Sequence, residues 1–401
     1  MSFEIALSGL TAINDQLETI SHNIANTGTY GFKSSRSNFA SMYAGIQPSG
    51  VEVGSITQSI GIGGSAQTTG RNMDAMIQGR GFFITRDTSG QPAYTRVGIF
   101  GTDKDGYVVD SFGHRAQGYA QLYDAAGQPL TGAALGPLGD LKLRDGQISA
   151  QPTTDLKYVG NLSSDWTVPT GAFDPTNPLT YNSSSTSVVF DSLGSKHTLT
   201  QYFVKTGTGA VTVNYSFDGT ALAPTTAMTF NSLGQLTAPA APVALAIAAP
   251  AGADPLSIDV DYTGTTGFGG STTELTNAAN GYASGVLTGV QIDDDGSVLG
   301  VYSNGLKQRA GTLALATFSN EDGLVPISDT AWAASSSSGD PLYSTPGTGL
   351  SGTLKSGALE QSNVDMSAQL VMLMTAQRNY QANTKVISTN SAMMQSLMQA
   401  V

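Results

Sequence analysis

Few side chains in this 401-residue sequence are placed to do chemistry. Its three histidines, His22, His114 and His197, are widely separated, and there is no cysteine. A zinc site needs several His or Cys donors converging on one point, so this set predicts no metal catalysis, no disulfide and no cysteine cross-link. Two acidic turns, Asp103-Lys104-Asp105-Gly106 and Asp293-Asp294-Asp295-Gly296, have the local flavour of calcium loops. With the glycine set at the sharp bend of such a loop, the first ligand falls on Gly101 or Gln291 and the last on Phe112 or Tyr302. None of these supplies a carboxylate, so both turns are predicted to close β-hairpins. Gly61-Ile62-Gly63-Gly64-Ser65-Ala66 loosely fits a dinucleotide fingerprint, but no amphipathic helix follows to carry the pyrophosphate. Met73, Met76 and the C-terminal methionines are read as apolar filler. A glycosidase would need two facing carboxylates, and no motif pairs the acids present. The expectation is a protein without cofactor and without catalysis.

Composition bounds the partners. Lys and Arg number 18 against 30 Asp and Glu, a net charge of −12, which repels nucleic acid and anionic lipid surfaces. No stretch approaches the ~20 apolar residues of a membrane span. Met1-Ser2-Phe3-Glu4-Ile5 lacks a basic segment leading into an apolar one. Neither nucleic-acid binding nor membrane insertion is expected, and the N-terminus is not that of a conventional Sec client. Forty-eight glycines with only 12% charged residues describe many turns and short strands.

Two kinds of element must position whatever surface does the work. Near the N-terminus Phe3, Ala6, Leu10, Ile13, Leu17, Ile20 and Ile24 alternate at spacings of three and four, a helical seam stopped by Asn26-Thr27-Gly28, with Gly28 suited to the left-handed position. Near the C-terminus Leu373, Tyr380, Ile387, Met394 and Val401 recur every seven residues, with Met366, Leu370 and Met398 on the same flank. Ser362-Asn363-Val364-Asp365 has the spacing of a helix start. Between them, from about 71 to 358, short alternating runs such as Val211-Thr212-Val213-Asn214-Tyr215 predict antiparallel β-structure. Loops or edge strands are expected in the Ala-, Pro- and Thr-rich stretch 220–255.

The polar flanks of these helices are unusual. From residue 1 to 31 the ionised side chains are Glu4, Asp15 and Glu18, and after Gly357 the only bases are Arg378 and Lys385. A solvent face ordinarily carries interleaved acids and bases, whereas Ser, Thr, Asn and Gln suit crowding by neighbours, where a lone charge is costly to desolvate. The two helices can zip together within one chain, or stick to other copies, or do both. On pattern alone the chain is a β-rich body with self-associating helical ends, and these ends, 1–70 and 360–401, are expected to be protease-sensitive in the monomer. A β-rich adhesin whose helical ends trimerise remains the alternative.

Residue identity goes further. Met1-Ser2-Phe3, Ser8-Gly9-Leu10, Ile20-Ser21-His22-Asn23-Ile24-Ala25-Asn26 and Thr29-Tyr30-Gly31-Phe32-Lys33-Ser34 resemble the N-terminal signature of the bacterial flagellar rod and hook axial proteins. Asn363-Val364-Asp365-Met366-Ser367 and Met374-Thr375-Ala376-Gln377-Arg378-Asn379-Tyr380-Gln381-Ala382-Asn383 resemble the C-terminal one. Asp191-Ser192-Leu193-Gly194-Ser195-Lys196-His197 and Phe39-Ala40-Ser41-Met42-Tyr43 are similar to the hook members, and Arg71-Asn72-Met73-Asp74 and Tyr94-Thr95-Arg96-Val97-Gly98 to the family's inner β domain.

The resemblance implies an α+β fold in which N- and C-terminal helices form a coiled-coil-like inner domain, with two antiparallel β domains nested by insertion. The boundaries implied are 1–70 with 359–401 for the helical domain and its extended linker, 71–145 with 281–358 for the inner β domain, and 146–280 for the outer one. It implies a structural subunit that polymerises into a hollow, bendable tube, a universal joint passing torque from rod to filament. The interface expected comprises Phe3, Leu10, Ile13, Leu17, Ile20, Ile24, Asn26, Gly31, Phe32, Leu370, Leu373, Tyr380, Ile387 and Met394, with Gly61, Gly63 and Gly64 as a linker hinge. Partners implied are the chain itself, a hook cap protein, a distal rod protein, a hook-filament junction protein, a hook-length control protein and the flagellar type III export apparatus, and the location implied is the extracellular hook.

Overall fold

The computed structural model describes residues 2–87, 89–123, 135–143, 146–250 and 252–400. Met1 and Val401, named above, lie outside the described residues. Helix α1, Ser2–Ala25, and helix α2, Met366–Ala400, bracket a chain that is otherwise mostly β.

Both helices stop and start by local hydrogen bonding. Asp365 caps α2, its Oδ1 accepting from the amides of Ser367 at 2.9 Å and Ala368 at 3.1 Å. Ser362 therefore lies outside the helix, and the expected start signal resolves to its last residue. After α1 the chain takes the left-handed conformation at Gly31 (φ 70°) and not at Gly28. A Cβ on Gly31 would stand 2.9 Å from the backbone of Arg96 and Val97, so close approach as well as backbone sign demands glycine there.

The segment expected to be an extended linker is a long hairpin, β1 (Ser35–Ala44) and β2 (Gln47–Gln58), turned at Gly45 and Ile46. Two register shifts, at Asn38/Phe39 and Met42/Tyr43, break its alternation, which is why it carries little period-two signal.

The chain divides into two compact units, one of 1–145, 288–301 and 307–401, the other of 146–287 and 302–306. In the first, strands Ser297–Tyr302, Lys307–Leu313, Arg115–Gln121, Phe82–Arg86, Pro92–Thr95, Ala331–Ala333 and Val325–Ile327 lie side by side in that order. One core gathers Phe83, Phe100, Val108, Leu141, Leu313 and Leu315, and another gathers Phe82, Tyr94, Phe318 and Trp332 with edge-on rings. Both acidic turns are hairpin turns, as expected: Gly106 and Gly296 sit at φ 82° and 81°, with their amides donating to the Asp103 and Asp293 carbonyls.

The second unit is built on two sheets. One runs Ser183–Phe190, Lys196–Gly207, Ala210–Phe217, Thr220–Phe230, Leu236–Ala238, and the other Val243–Ile247, Leu256–Asp261, Asp155–Asn161, Thr273–Ala279. They share one core, in which Tyr215 and Tyr262 join hydroxyls at 2.8 Å and Tyr262 donates to Gln201 at 2.6 Å. Asp155–Asn161 pairs parallel to Leu256–Asp261, so this unit is not purely antiparallel. The stretch 220–255 holds an interior strand, Thr220–Phe230, besides the two edge strands Leu236–Ala238 and Val243–Ile247. Thr226 and Met228 point inward and are buried, which small neighbours concealed in the sequence.

Candidate assembly surface

α1 and α2 pack against each other antiparallel. Asn23 Nδ2 donates to Gln369 Oε1 at 3.3 Å, and fourteen residues along both helices a Cβ on Gly9 would stand 3.0 Å from Asn383. That register sets Ser2 abreast of Asn390, so the 35-residue α2 runs on beyond the 24-residue α1 by its last ten residues. Ile13 and Ile20 are buried with Ala376, and Leu17, Ile24 and Leu373 pack around them. Within α2 the row facing α1 also holds Gln369 and Ala376, both buried, with Asn383 and Asn390 half-buried. This small and polar row has no hydrophobic period and was missed by the seven-residue apolar series. The other flank of α1 meets the hairpin: Thr19 and Ser37 hydroxyls lie 2.8 Å apart, the Val51 amide donates to Ser8 Oγ at 3.2 Å, and buried Asn23 exchanges bonds with the Ser35 backbone at 2.7 and 2.8 Å.

The expected interface residues therefore separate into two groups. Ile13, Ile20, Gly31 and Phe32 are buried within the chain, and Leu10, Leu17, Ile24, Asn26, Leu373 and Ile387 are half-buried. Phe3, Leu370, Tyr380 and Met394 stay exposed. Beside them the structure exposes apolar side chains outside the seven-residue series: Val371, Met372, Met374, Val386, Met393 and Met398, the last 74% exposed. No ionised side chain follows Lys385, so the projecting end of α2 is apolar and uncharged.

A buried ionic clasp ties these helices to the β-structure of their unit. Lys33 Nζ lies 2.6 Å from Glu360 Oε1, both 1% exposed, and Arg96 Nη1 lies 3.3 Å from Glu360 Oε2. Burial lowers the Lys33 ammonium from its ordinary value, and the neighbouring Glu360 offsets this only in part. Lys33 also donates to the Ile62 carbonyl at 2.7 Å, the Gly64 amide to Glu360 Oε1 at 2.9 Å, and the Gly31 amide to the Glu360 carbonyl at 2.8 Å. Asn363 completes the knot by donating to the Ser59 and Ile62 carbonyls while accepting from the Ser34 amide at 2.7 Å. Trp332 Nε1 donates to Gln58 at 2.7 Å, holding the foot of the hairpin.

Of the three expected hinge glycines, Gly61, Gly63 and Gly64, this geometry gives Gly64 a duty other than hinging, while a Cβ on Gly61 or Gly63 would meet nothing nearer than 3.9 Å. A Cβ on Gly64 would fall 1.7 Å from the Gln361 carbonyl oxygen, so glycine is needed for close approach in a turn pinned on both sides. Lys33, Arg96 and Asn363 lie inside the quoted signatures but were not read as a cluster. Glu360, the acid they share in direct contact or through the same turn, was missed altogether. Two opposite charges in an otherwise charge-poor flank were the available signal.

Residues 76–152 match the flagellar hook protein FlgE/F/G D1 domain, 161–282 the flagellar basal body protein FlaE D2 domain, and 355–400 the flagellar basal body rod FlgEFG protein C-terminal family. The chain is 38% identical over 403 residues to the flagellar hook protein FlgE of Escherichia coli (strain K12), with 99% of each chain covered. It is 34% identical over 405 residues to that of Rhizobium meliloti (strain 1021), covering 98% of this chain and 96% of the other. Among solved structures, the Helicobacter pylori flagellar hook protein FlgE2 covers 74% of this chain and 100% of its own with a TM-score of 0.53 at 13% identity, which speaks for a shared fold alone. Mostly β between two terminal helices, alike over its full length to structural relatives and matched by three of their domain families, the chain belongs to the flagellar hook protein family.

Proposed function

We propose that the chain polymerises through its terminal helices into the hollow, flexible tube of the hook and passes torque from rod to filament. The observation that carries this reading is the apolar surface that α1 leaves uncovered on α2: Leu370, Val371 and Met374 on the side away from α1, and Met393, Met394 and Met398 on the stretch that runs past its end, with no charge among them. Uncovered apolar helical surface on a single chain marks an interface, and when such a surface meets a different surface of the next copy in a contact that does not close on itself, it grows a helical filament. Residues 1–70 with 359–401 would form a coiled-coil-like inner layer about the channel, 71–145 with 281–358 a middle layer, and 146–280 an outer one. The bonds of Lys33 and Asn363 to the Ile62 carbonyl and of the Gly64 amide to Glu360 argue against a free hinge at Gly61, Gly63 and Gly64.

As a subunit of this kind the chain would reach the extracellular tip unfolded through the type III export apparatus, without a cleaved signal peptide. It would add beneath a cap protein, meet the distal rod protein below and the junction protein above, and stop under a length-control protein. The test is electron microscopy of concentrated protein alongside swimming of cells lacking their own hook protein. The native chain is expected to form tubes and restore motility, whereas Met393→Ser, Met394→Ser and Met398→Ser together should leave a folded monomer that does neither. Tubes of normal abundance from the triple variant would overturn the assignment of this face.

A further inference from the structure

Within the unit of 146–287 and 302–306, one histidine has carboxylates at both ring nitrogens. His197 Nδ1 lies 2.6 Å from Asp218 Oδ2, and Nε2 lies 3.3 Å from Asp191 Oδ2. The second oxygen of each carboxylate is engaged by backbone. Asp191 Oδ1 accepts from the amides of Leu193 at 2.9 Å and Ser195 at 2.8 Å, and Asp218 Oδ1 accepts from the Thr198 amide at 2.8 Å. The imidazole stacks on Phe217 with ring centroids 5.0 Å apart. The groups facing it are thus Asp191 from the turn before its strand, Asp218 from the next hairpin turn, and the uncharged Phe217 ring.

A neutral imidazole has one N–H and one lone pair, and only the imidazolium donates from both nitrogens at once. With a carboxylate at each nitrogen, the arrangement is complete in the protonated state alone. We propose that His197 is the pin of a pH-sensitive latch: protonated, it fastens the 191–195 turn to the Asp218 hairpin, and deprotonated, it lets the 191–195 turn go. The Asp191 side is the one released because its bond to the ring is the longer and the Asp218 contact retains the remaining proton. Asp218 itself holds φ 47°, a left-handed position in a two-residue Asp-Gly turn between Phe217 and Thr220, so its carboxylate is presented by a stiff loop.

The direction of titration agrees. Burial acts against the charge, but the hydrogen bonds to Asp218 and Asp191 outweigh it and raise the ring from its ordinary 6.5. A group whose folded value is raised contributes stability that is fully present below its unfolded value and is lost as pH rises through the folded one. The latch is therefore closed in mildly acidic medium and opens on the alkaline side.

The experiment uses the full chain labelled with 15N-histidine, whose three residues give three resolvable rings, with His197→Gln identifying the signal. At a pH of about 6.5 the His197 ring should carry protons on both nitrogens and titrate later than free histidine in the same buffer. As pH rises, the difference in unfolding midpoint between the native chain and His197→Gln should shrink, and the Leu193 and Ser195 amides should lose protection relative to the rest of their unit. Asp191→Asn, which keeps an oxygen acceptor but removes one charge, should shift the ring's titration back toward free histidine even if His197→Gln folds poorly. A ring singly protonated at that pH, or an Asp191→Asn chain titrating like the native one, overturns the proposal.

Discussion

Glu360 is the residue on which the unit of the terminal helices turns. It accepts from Lys33, Arg96 and the Gly64 amide while 1% exposed, so its removal strands two cations out of water. Breaking one partner of a buried ion pair in this way costs about 3–5 kcal/mol. Glu360→Gln is accordingly expected to lower the stability of this unit by that order in urea unfolding, with the other unit unaffected. The glycines beside it allow a finer comparison. Gly64→Ala drives a methyl into the Gln361 carbonyl, whereas the nearest atom to a Cβ on Gly63 is Glu360 Oε1 at 3.9 Å. Overpacking of the first kind costs about 1–3 kcal/mol. Thermal unfolding should therefore separate Gly64→Ala, clearly destabilised, from Gly63→Ala, close to native.

At the scale of elements, the terminal helices divide into surface covered within the chain and surface left uncovered, with different duties. Ile20, 3% exposed, fills the contact between α1 and α2, and Ile→Ala at such a site costs about 2–5 kcal/mol. Met394, 60% exposed and past the reach of α1, touches little within its own chain. Ile20→Ala should thus melt the helical end of the monomer, seen as lost helical signal at lower temperature. Met394→Ser should leave the melting curve within about 0.5 kcal/mol of native while reducing tube formation at a given protein concentration. If the two variants fail in the same way, the division between covered and uncovered surface is wrong.

For the molecule as a whole, the clasp revises what is expected of the free ends. From residue pattern alone, 1–70 and 360–401 read as protease-sensitive in the monomer. In the structure the segment from Gly31 to Ser65 is stitched to Glu360, Gln361 and Asn363, and the hairpin leans on α1. Backbone so engaged opens rarely, and cleavage should begin instead in the uncovered last ten residues of α2. Limited proteolysis followed by mass spectrometry is expected to trim 391–400 first and to spare 31–65. Early cuts inside 31–65 would show that the clasp does not hold in solution.

Sequence alone determined the parts of this protein that depend on period and identity. The seam of α1 from Phe3 to Ile24, the existence of α2, both acidic hairpin turns and the membership implied by the paired terminal signatures are all local patterns repeated on one chain. What only the tertiary structure decided is which face of each helix is spent within the chain and which is left over. Beside Leu373, the row of α2 that packs on α1 holds Gln369, Ala376 and Asn383, in which small size and hydrogen bonding suit Ala376 and the two amides to close contact. The bulged hairpin 35–58, the parallel strand pair in the second unit and the Lys33–Arg96–Glu360 clasp share the same reason for escaping notice. Each is made of residues far apart in number, and periodicity registers neighbours along the chain while an ion pair or a strand pairing registers neighbours in space.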